Sequence, residues 1–283
     1  MTGRSIKRHT CVQPVVLGLC PKRKNHPLCG WIFIPGEADD GAFVQVITDS
    51  GSHIFRTEKL KIKGDTVKTG NCFFSPSGIK VRLPEIDADL RYTKTTPLRS
   101  DIMGPFAKLP MQCRHGVVSM RHTVNGTLTM YGKIYIFKNG IGYAEKDSGR
   151  SFPKSYMWVQ CNEFDAPCSF MLAIAHIPFL ITSFKGCICA VVYKEKEYRF
   201  ATYKGVMSKI KKDRIYLKQG ALELEIYLRK HNGGHPLKAP LKGLMSQTVR
   251  ETTNAGIRLV LKEHGKILVD CKSDRAAFEL RKN

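Results

Sequence analysis

Short runs of alternating apolar and polar residues, most of them closed by a turn signal, recur along the chain. The run 42–48 ends at the turn signal 49–52, and a second run, 53–56, follows it. The runs 71–74 and 79–83 flank a Ser-Pro-Ser-Gly turn in the same way. No segment keeps a helical period over three or more turns, so the pattern predicts an all-β chain with antiparallel pairing.

The longest early strand pattern, 117–124, is followed by Asn125-Gly126 and then by the run 127–130. Asn-Gly between two such runs predicts a two-residue hairpin turn at this point. Further strand patterns continue to residue 280. So many strands in one chain predict a large barrel or two stacked sheet units.

Composition and irregular stretches divide the chain into three parts. Residues 1–33 contain no acidic side chain and are predicted to be an atypical, partly disordered leader. Residues 34–112 are predicted to form an N-terminal β half that ends in an irregular, proline-containing connection, 84–112. Residues 113–283 are predicted to form a C-terminal β half.

Basic residues outnumber acidic ones, with 46 Lys plus Arg against 24 Asp plus Glu and a formal net charge of +22. They are scattered over the chain, and no nucleic-acid-binding motif accompanies them, so the charge predicts a solvated basic exterior and no specific nucleic-acid partner. Peripheral contact with an anionic membrane stays open. No apolar run approaches the roughly 20 residues that cross a bilayer, and we expect a cytoplasmic protein, with association at a membrane surface left open.

The ten cysteines do not have the spacing of a metal site or a disulfide framework. Cys187 and Cys189 are two residues apart on a predicted strand and have no Cys-x-x-Cys partner, while Cys11, Cys20 and Cys29 are nine apart. The pattern therefore predicts reduced, mostly buried thiols.

The basic stretch 230–242 is predicted to be a solvated loop. Its histidines, His231 and His235, would share a face only in a helix, which Gly233 and Gly234 oppose. No metal site is predicted here or elsewhere in the sequence.

The segment 140–153 places Glu145 and Asp147 two residues apart in a glycine-punctuated stretch that is predicted to be a loop. The strand pattern that follows carries Tyr156, Trp158, Gln160 and Asn162 at alternate positions. Successive side chains of a strand point to opposite faces, so these four share one face. Acids, aromatic rings and amides together predict a pocket for a large, mostly apolar molecule with a polar head.

The pattern Gly-Tyr-x-Glu-x-Asp-x-Gly-x-Ser-Phe-Pro at 142–153, with Trp-x-Gln-x-Asn at 158–162, resembles the central signature of the tocopherol cyclase-like family. Further stretches resemble its bacterial branch, and the likeness covers roughly 34–280. These stretches are 34–36, 43–47, 98–106, 113–120 and 237–240.

The resemblance implies two lipocalin-like antiparallel β-barrel or sandwich halves packed together, related to carotenoid hydratases. It also implies a cofactor-independent isomerase, an intramolecular lyase that closes a chromanol ring on a prenylated quinol. The implied ligand is therefore a prenylquinol or another amphiphilic isoprenoid.

Ring closure of this kind needs a proton on the prenyl double bond, so that a phenol oxygen can capture the tertiary cation. An alkene is a weak base, and the donor must be a carboxylic acid kept protonated by burial or by a second carboxylate. We expect Asp147 to be the donor and Glu145 to tune it, although the reverse assignment stays open. The faces of Tyr156 and Trp158 are expected to stabilise the cation.

The remaining candidates for the pocket are polar. Gln160 and Asn162 are expected to hold the quinol hydroxyls as neutral amides. Tyr143, Arg114 and His115 are further candidates for contact with the substrate.

Each of these side chains also has a purely structural interpretation. Glu145 and Asp147 could pair with nearby basic residues, the aromatic rings could belong to a core, and His115 could be a satisfied structural histidine. The alternative function is a non-catalytic, lipocalin-like binder of an amphiphilic isoprenoid.

Overall fold

The computed structural model describes the backbone of residues 11–20, together with residues 32–38, 41–179, 182–229, 233–241 and 244–282. Most of them lie in antiparallel strands, and two short 3-10 helices span Gly104–Lys108 and Thr202–Lys204. The prediction of an all-β chain is therefore confirmed. No helix in these ranges has the length and apolar character needed to cross a bilayer.

The first sheet has the strand order β4-β3-β2-β1-β11-β10-β9-β8-β7-β6-β5. Its strands are β1 (Cys11–Cys20), β2 (Ile32–Ala38), β3 (Gly41–Thr48), β4 (Gly51–Arg56), β5 (Lys61–Lys63), β6 (Thr66–Thr69), β7 (Cys72–Ser75), β8 (Gly78–Leu83), β9 (Ile86–Thr93), β10 (Cys113–Met130) and β11 (Lys133–Gly149).

The second sheet has the order β15-β14-β13-β12-β21-β20-β18-β17-β16, and β19 also pairs with β20. Its strands are β12 (Tyr156–Cys161), β13 (Cys168–Phe179), β14 (Thr182–Tyr193), β15 (Lys196–Ala201), β16 (Met207–Ile210), β17 (Arg214–Gln219), β18 (Leu222–Leu228), β19 (His235–Leu241), β20 (Leu244–Glu263) and β21 (Lys266–Arg281).

Each sheet curls around a core of its own. In the first, Phe33 and Val46 from one end of the sheet share a cluster with Phe74 and Val81 from the other. The second sheet has an equivalent cluster that includes Phe170 and Leu224. Among the strands described, the two edges of each sheet do not pair, so neither sheet closes into a barrel.

A third apolar cluster joins the two sheets. It combines Ile34 and Tyr143 of the first sheet with Trp158 and Met171 of the second. The two sheets therefore meet along a buried face, and the site described below lies there.

The sheets divide between Gly149 and Tyr156, because β10 and β11 belong to the first sheet. The predicted boundary between halves lay at residues 112 and 113, and the division into domains stays a prediction. Of the predicted leader, residues 11–20 form β1, which pairs with the central segment of β11, while residues 1–10 and 21–31 lie outside the described ranges.

Three local predictions are wrong. The central segment containing Glu145 and Asp147 belongs to strand β11 and is not a loop. The stretch 84–112 contains β9, and the predicted loop 230–242 contains β19. His235 opens β19 and its ring Nε2 lies 3.1 Å from the carbonyl oxygen of Asp49, while His231 lies outside the described ranges.

The hairpin turn predicted at Asn125-Gly126 is also wrong, since β10 runs through both residues without a break. The chain turns at Tyr131 and Gly132, both of which have a positive φ. The register between β10 and β11 shifts between Val124 and Gly126, which is the signature of a β-bulge. A glycine in a strand marks a bulge or a close backbone approach as readily as a turn.

Six of the cysteines whose side chains are described are free and buried: Cys72, Cys161, Cys168, Cys187, Cys189 and Cys271. Burial raises the pKa of the Cys187 thiol to about 12. The burial of these side chains agrees with the prediction of mostly buried thiols.

Candidate functional site

A cavity of about 140 Å³ lies between the two sheets. Its walls are mainly apolar, and they include Ile34 of β2, Ile188 of β14 and Leu237 of β19. A dry cavity of about 150 Å³ accommodates a benzene ring, so this one has room for an aromatic ring.

One wall of the cavity carries a compact ionisable cluster: His115 of β10 with Glu145 and Asp147 of β11. The Nδ1 atom of His115 lies 2.8 Å from Oδ1 of Asp147, and its Nε2 atom lies 3.4 Å from Oε2 of Glu145. The prediction that the two carboxyls share a face is thus confirmed. It follows from β pairing, because His115 lies opposite Asp147 in the register and Glu145 is two residues away on the same face.

The short distances within the cluster determine the protonation states of its side chains. Burial lowers the pKa of His115, but the carboxylates of Asp147 and Glu145 more than offset this and raise it to about 9. At neutral pH, His115 is therefore protonated and forms an ion pair with Asp147.

The pKa of Glu145 results from a different balance of burial and neighbouring charges. Burial raises its pKa to about 7, protonated His115 opposes the rise, and Asp147 adds to it. The hydroxyl of Tyr143 donates a hydrogen bond to Oε2 of Glu145 at 2.7 Å. Glu145 is consequently close to its titration midpoint at neutral pH, where a group can take up or release a proton.

The two aromatic candidates of β12 line the same cavity. Tyr156 and Trp158 face it from the second sheet, and the Tyr156 hydroxyl donates a hydrogen bond to Oε1 of Glu279. Tyr143, by contrast, is fully buried behind Glu145 and is not part of the wall.

Three further predicted substrate contacts, besides Tyr143, are not brought to the cavity. Gln160 is buried farther along β12, beyond the reach of the cavity wall. Asn162 lies after the end of β12, and its Nδ2 atom donates to the carbonyl oxygen of Gly142, which links the two sheets. Arg114 is exposed because it precedes His115 by one residue and faces the other side of β10.

Two carboxyls of the site were missed from the sequence. Glu251 of β20 and Glu279 of β21 line the cavity from the second sheet. The signal that could have identified them is an acid at the inward position of an alternating strand, where Glu251 falls between the buried residues Val249 and Thr253.

The segment between β9 and β10 forms part of the cavity wall through Met103, Phe106 and Met111. The Nη1 atom of Arg199 donates to the carbonyl oxygen of Asp101 at 2.8 Å, and its Nη2 atom donates to that of Ser100 at 2.9 Å. This arginine is itself buried and paired with Glu197 at 2.7 Å. The segment is thereby fixed to the second sheet, and its Phe106 stacks on Phe184 at 5.6 Å where the wall is partly exposed.

The ligand atoms of His115, Glu145 and Asp147 lie within 4.8 Å of one another, a separation that a divalent cation could bridge. Each ring nitrogen of His115, however, already faces a carboxylate oxygen. A histidine that ligates a metal offers one nitrogen to the ion, so this arrangement is better described as an imidazolium held between two acids.

Residues 87–281 match the family model described as tocopherol cyclase-like. The chain belongs to the tocopherol cyclase-like family. This confirms the family predicted from the central motif. The chain is also 25% identical over 176 residues to a chloroplastic protein of Oryza sativa subsp. japonica that is named probable tocopherol cyclase. That match covers 55% of this chain and 36% of the rice protein, so the chain spans about a third of the length of this curated relative.

Solved structures share the fold. A protein of Nitrosomonas europaea assigned as AttH superposes with a TM-score of 0.57 at 12% identity, covering 99% of this chain and 96% of that one. The crystal structure of CghA gives a TM-score of 0.57 at 10% identity, covering 96% and 88%. The lipocalin-like architecture of this tocopherol cyclase-like chain is thereby confirmed. The predictions about membrane contact, nucleic acid and cellular location stay predictions.

Proposed function

We propose that this member of the tocopherol cyclase-like family is an isomerase that closes a ring on a prenylated quinol or a related isoprenoid. A prenyl double bond is protonated, and a phenol oxygen of the same molecule captures the resulting tertiary cation. The observation that carries the proposal is the cluster of His115, Glu145 and Asp147 on the wall of a cavity that is otherwise mainly apolar. Such a cavity suits a prenyl chain and an aromatic ring, and the cluster provides acid–base groups out of bulk water.

Within the cluster, the two carboxyls take different roles. Asp147, the residue expected to donate the proton, is the ion-pair partner of His115 and orients its ring. Glu145 exchanges a proton with the ligand, because its pKa of about 7 leaves both of its forms populated at neutral pH. This is the reverse of the expected assignment, which the sequence left open.

The aromatic wall supports the same chemistry. The rings of Tyr156 and Trp158 border the cavity, and an aromatic face attracts a cation through its quadrupole. A tertiary carbocation formed beside them would be stabilised without a mobile counterion. No cofactor is required, since the reaction only moves protons and closes one C–O bond.

The substitution Asp147→Asn tests the proposal. An amide preserves the shape of the carboxyl but cannot balance the charge of His115, so we expect turnover of a prenylated hydroquinone to fall by about 100-fold or more. Binding of the same compound should change by no more than a few-fold. Turnover is measured in D2O by mass spectrometry of the cyclised product, which gains one deuterium on carbon.

Asp65→Asn is the matched control, because Asp65 is exposed and pairs with Lys146 on the opposite face of β11. It should retain wild-type turnover. Tight binding without any product from the wild-type protein, together with an affinity that does not respond to Asp147→Asn, would establish the non-catalytic binder instead.

A further inference from the structure

Ring closure moves two protons, and this inference rests on the proposed function. The alkene carbon gains one proton, and the phenol oxygen loses one when it bonds to the cation. Glu145 can accept the phenol proton in its ionised form, next to the imidazolium of His115. The reaction then needs a second group that carries its proton at rest, within the same cavity.

Glu251 and Glu279 have the geometry of such a group. They lie directly opposite each other in the register of β20 and β21, so their side chains leave the sheet side by side. Their exposed fractions are 3% and 5%, and both line the cavity from the wall that faces the His115 cluster.

The two carboxyls differ in their partners. Glu279 accepts the hydrogen bond of the Tyr156 hydroxyl. Oε1 of Glu251 is buried and has no hydrogen-bond partner among the described residues. A buried polar atom without a partner is costly, and it is explained when a ligand or a proton-transfer partner occupies the adjacent space.

The surroundings of the pair favour its protonated form. The titratable and charged side chains that act on it or pair beside it are Glu145, Asp147, Tyr156, Arg281 and His235. The hydrogen bond from Tyr156 and the guanidinium of Arg281 oppose protonation of Glu279, and that guanidinium is held by the carbonyl oxygen of Pro153 and by Oε1 of Gln247.

Two buried carboxylates side by side repel each other, so at least one of them holds its proton. Burial raises the pKa of Glu279 to about 8, and the bond from Tyr156 opposes the rise. Burial raises the pKa of Glu251 well above its ordinary value, and the neighbouring Glu279 and Glu145 raise it further.

We infer that Glu251, supported by Glu279, is the proton donor to the alkene, and that the His115 cluster on the facing wall is the proton acceptor. The O–H bond of the Glu251 carboxyl breaks as a C–H bond forms on the alkene, and the cation is left at the adjacent tertiary carbon. The phenol oxygen then forms the C–O bond, and its proton passes to the Glu145 carboxylate. The substrate is isomerised with no net gain or loss of atoms, and exchange with water returns each carboxyl to its starting form.

The division of roles follows from the position of the two groups. Ring closure adds a hydrogen and an oxygen to neighbouring carbons of one double bond. A donor on one sheet and an acceptor on the other allow both to act on a substrate that lies between them. Glu279 is a positioning residue in this scheme, since it acts on the proton of Glu251.

The test compares Glu251→Gln and Glu279→Gln in the full-length protein with a prenylated hydroquinone. Glutamine keeps the volume and hydrogen-bonding capacity of a protonated glutamic acid, so the affinity for the hydroquinone should change by no more than a few-fold. For Glu251→Gln, we expect kcat to fall by about 100-fold or more. Glu263→Gln is the matched control, since Glu263 lies on the same strand in a surface ion pair with Lys196, and it should keep the wild-type rate.

Glu279→Gln leaves the donor, Glu251, in place. Its effect is measured from the pH profile of kcat. A donor must be protonated, so the rate falls as the pH rises above its pKa. Without the like-charged neighbour, the pKa of Glu251 falls, and the alkaline limb of the profile should move to lower pH.

Wild-type kcat in Glu251→Gln, together with an alkaline limb that Glu279→Gln does not move, would overturn the inference while the cyclase function stands. A wild-type protein that binds the hydroquinone without converting it would instead contradict the proposed function. The two failures are therefore distinguished by the wild-type rate alone.

Discussion

Glu145 takes its chemical character from side chains on two neighbouring strands. Tyr143 precedes it by two residues on β11 and donates a hydrogen bond to its carboxylate, and His115 of β10 adds a positive charge at 3.4 Å. Both favour the ionised form, whereas burial and Asp147 favour the neutral form. The near-neutral midpoint of Glu145 results from this competition and would move if any one contact were removed.

Tyr143→Phe removes one of these contacts without changing the shape of the core. The lost hydrogen bond stabilised the carboxylate, so the pKa of Glu145 should rise above about 7. A proton acceptor works in its ionised form, and the acid limb of the kcat profile should therefore move up by about one pH unit.

Tyr198→Phe serves as the control, because Tyr198 packs in the core of the second sheet, away from the cavity. It should leave the acid limb in place. An acid limb that stays unchanged in Tyr143→Phe would show that Glu145 does not accept the proton.

For single residues, the sequence predicted which side chains close together in the chain share a face, and missed contacts between residues far apart in the chain. Alternation placed Glu145 and Asp147 on one face, and Tyr156 with Trp158 on another, as the structure has them. Glu251 lies more than a hundred residues from Glu145 along the chain, and no spacing connects the two. Gln160 and Asn162 were expected in the pocket but lie outside the cavity lining, because alternation sets the face of a side chain and not how far the cavity extends along the strand.

At the scale of single elements, strand β10 illustrates how glycine can mislead. A Cβ atom at Gly126 would lie 2.0 Å from the carbonyl oxygen of Asp89 on β9, and φ is +133° there. Gly132, in the actual turn, also has a positive φ, but nothing lies within 4 Å of a Cβ atom at that position. The first glycine is required by close approach of backbone, and the second only by conformation.

Gly126→Ala and Gly132→Ala separate these two requirements. We expect Gly126→Ala to lower the free energy of unfolding by roughly 2–4 kcal/mol, since backbone strain and a clash with a fixed carbonyl add together. Gly132→Ala should cost about 1 kcal/mol from conformation alone. Urea unfolding measures both, and equal losses would contradict the requirement for close backbone approach at Gly126.

The sequence located most strands but not all of their ends. The strand β9 was hidden within a stretch rich in charge, although its buried residues Ile86, Ala88 and Leu90 alternate strictly with polar ones. In sequence, a short charged strand differs from an irregular connection only by this alternation of apolar and polar residues. Turn residues were weaker guides, because Asn125-Gly126 lies inside a strand.

At the scale of the whole molecule, several buried acids couple folding to protonation. The pKa values of Glu145 and Glu279 are raised to about 7 and about 8, and that of Glu251 is also raised. The folded state therefore binds protons that the unfolded chain releases. Stability from these groups is fully present below their ordinary value of 4.5 and is lost as the pH rises through their folded values.

His115 acts in the same direction. Its pKa is raised from 6.5 to about 9, so its stabilising contribution is complete below 6.5 and disappears as the pH rises through about 9. Between about 4.5 and about 9, these groups together should make the protein less stable as the pH rises. His122, whose pKa burial lowers to about 4, opposes them below its ordinary value of 6.5, but the buried acids outnumber it.

We expect the melting temperature to fall as the pH is raised across this interval. The double substitution Glu251→Gln with Glu279→Gln should make that fall shallower, because two of the responsible groups no longer titrate. Calorimetry at matched ionic strength provides the measurement. A melting temperature that rises with pH, or a double variant with the wild-type slope, would contradict this account.

The number of strand patterns predicted a large barrel or two stacked sheet units, but not which faces of the two sheets meet. That face depends on apolar residues from both sheets, such as Ile34 and Trp158, which are far apart in the sequence. The place where the two sheets divide, after Gly149, could not be read from composition for a related reason. The long hairpin of β10 and β11 pairs with strands on both of its sides, and this pairing leaves no mark in composition.

The described chain passes from one sheet to the other only once, in the six residues between Gly149 and Tyr156. A molecule bound between the sheets would contact both of them. It would therefore add non-covalent contacts across an interface that a single peptide segment crosses. Ligand binding would thus strengthen the association of the two sheets, and loss of the ligand would weaken it.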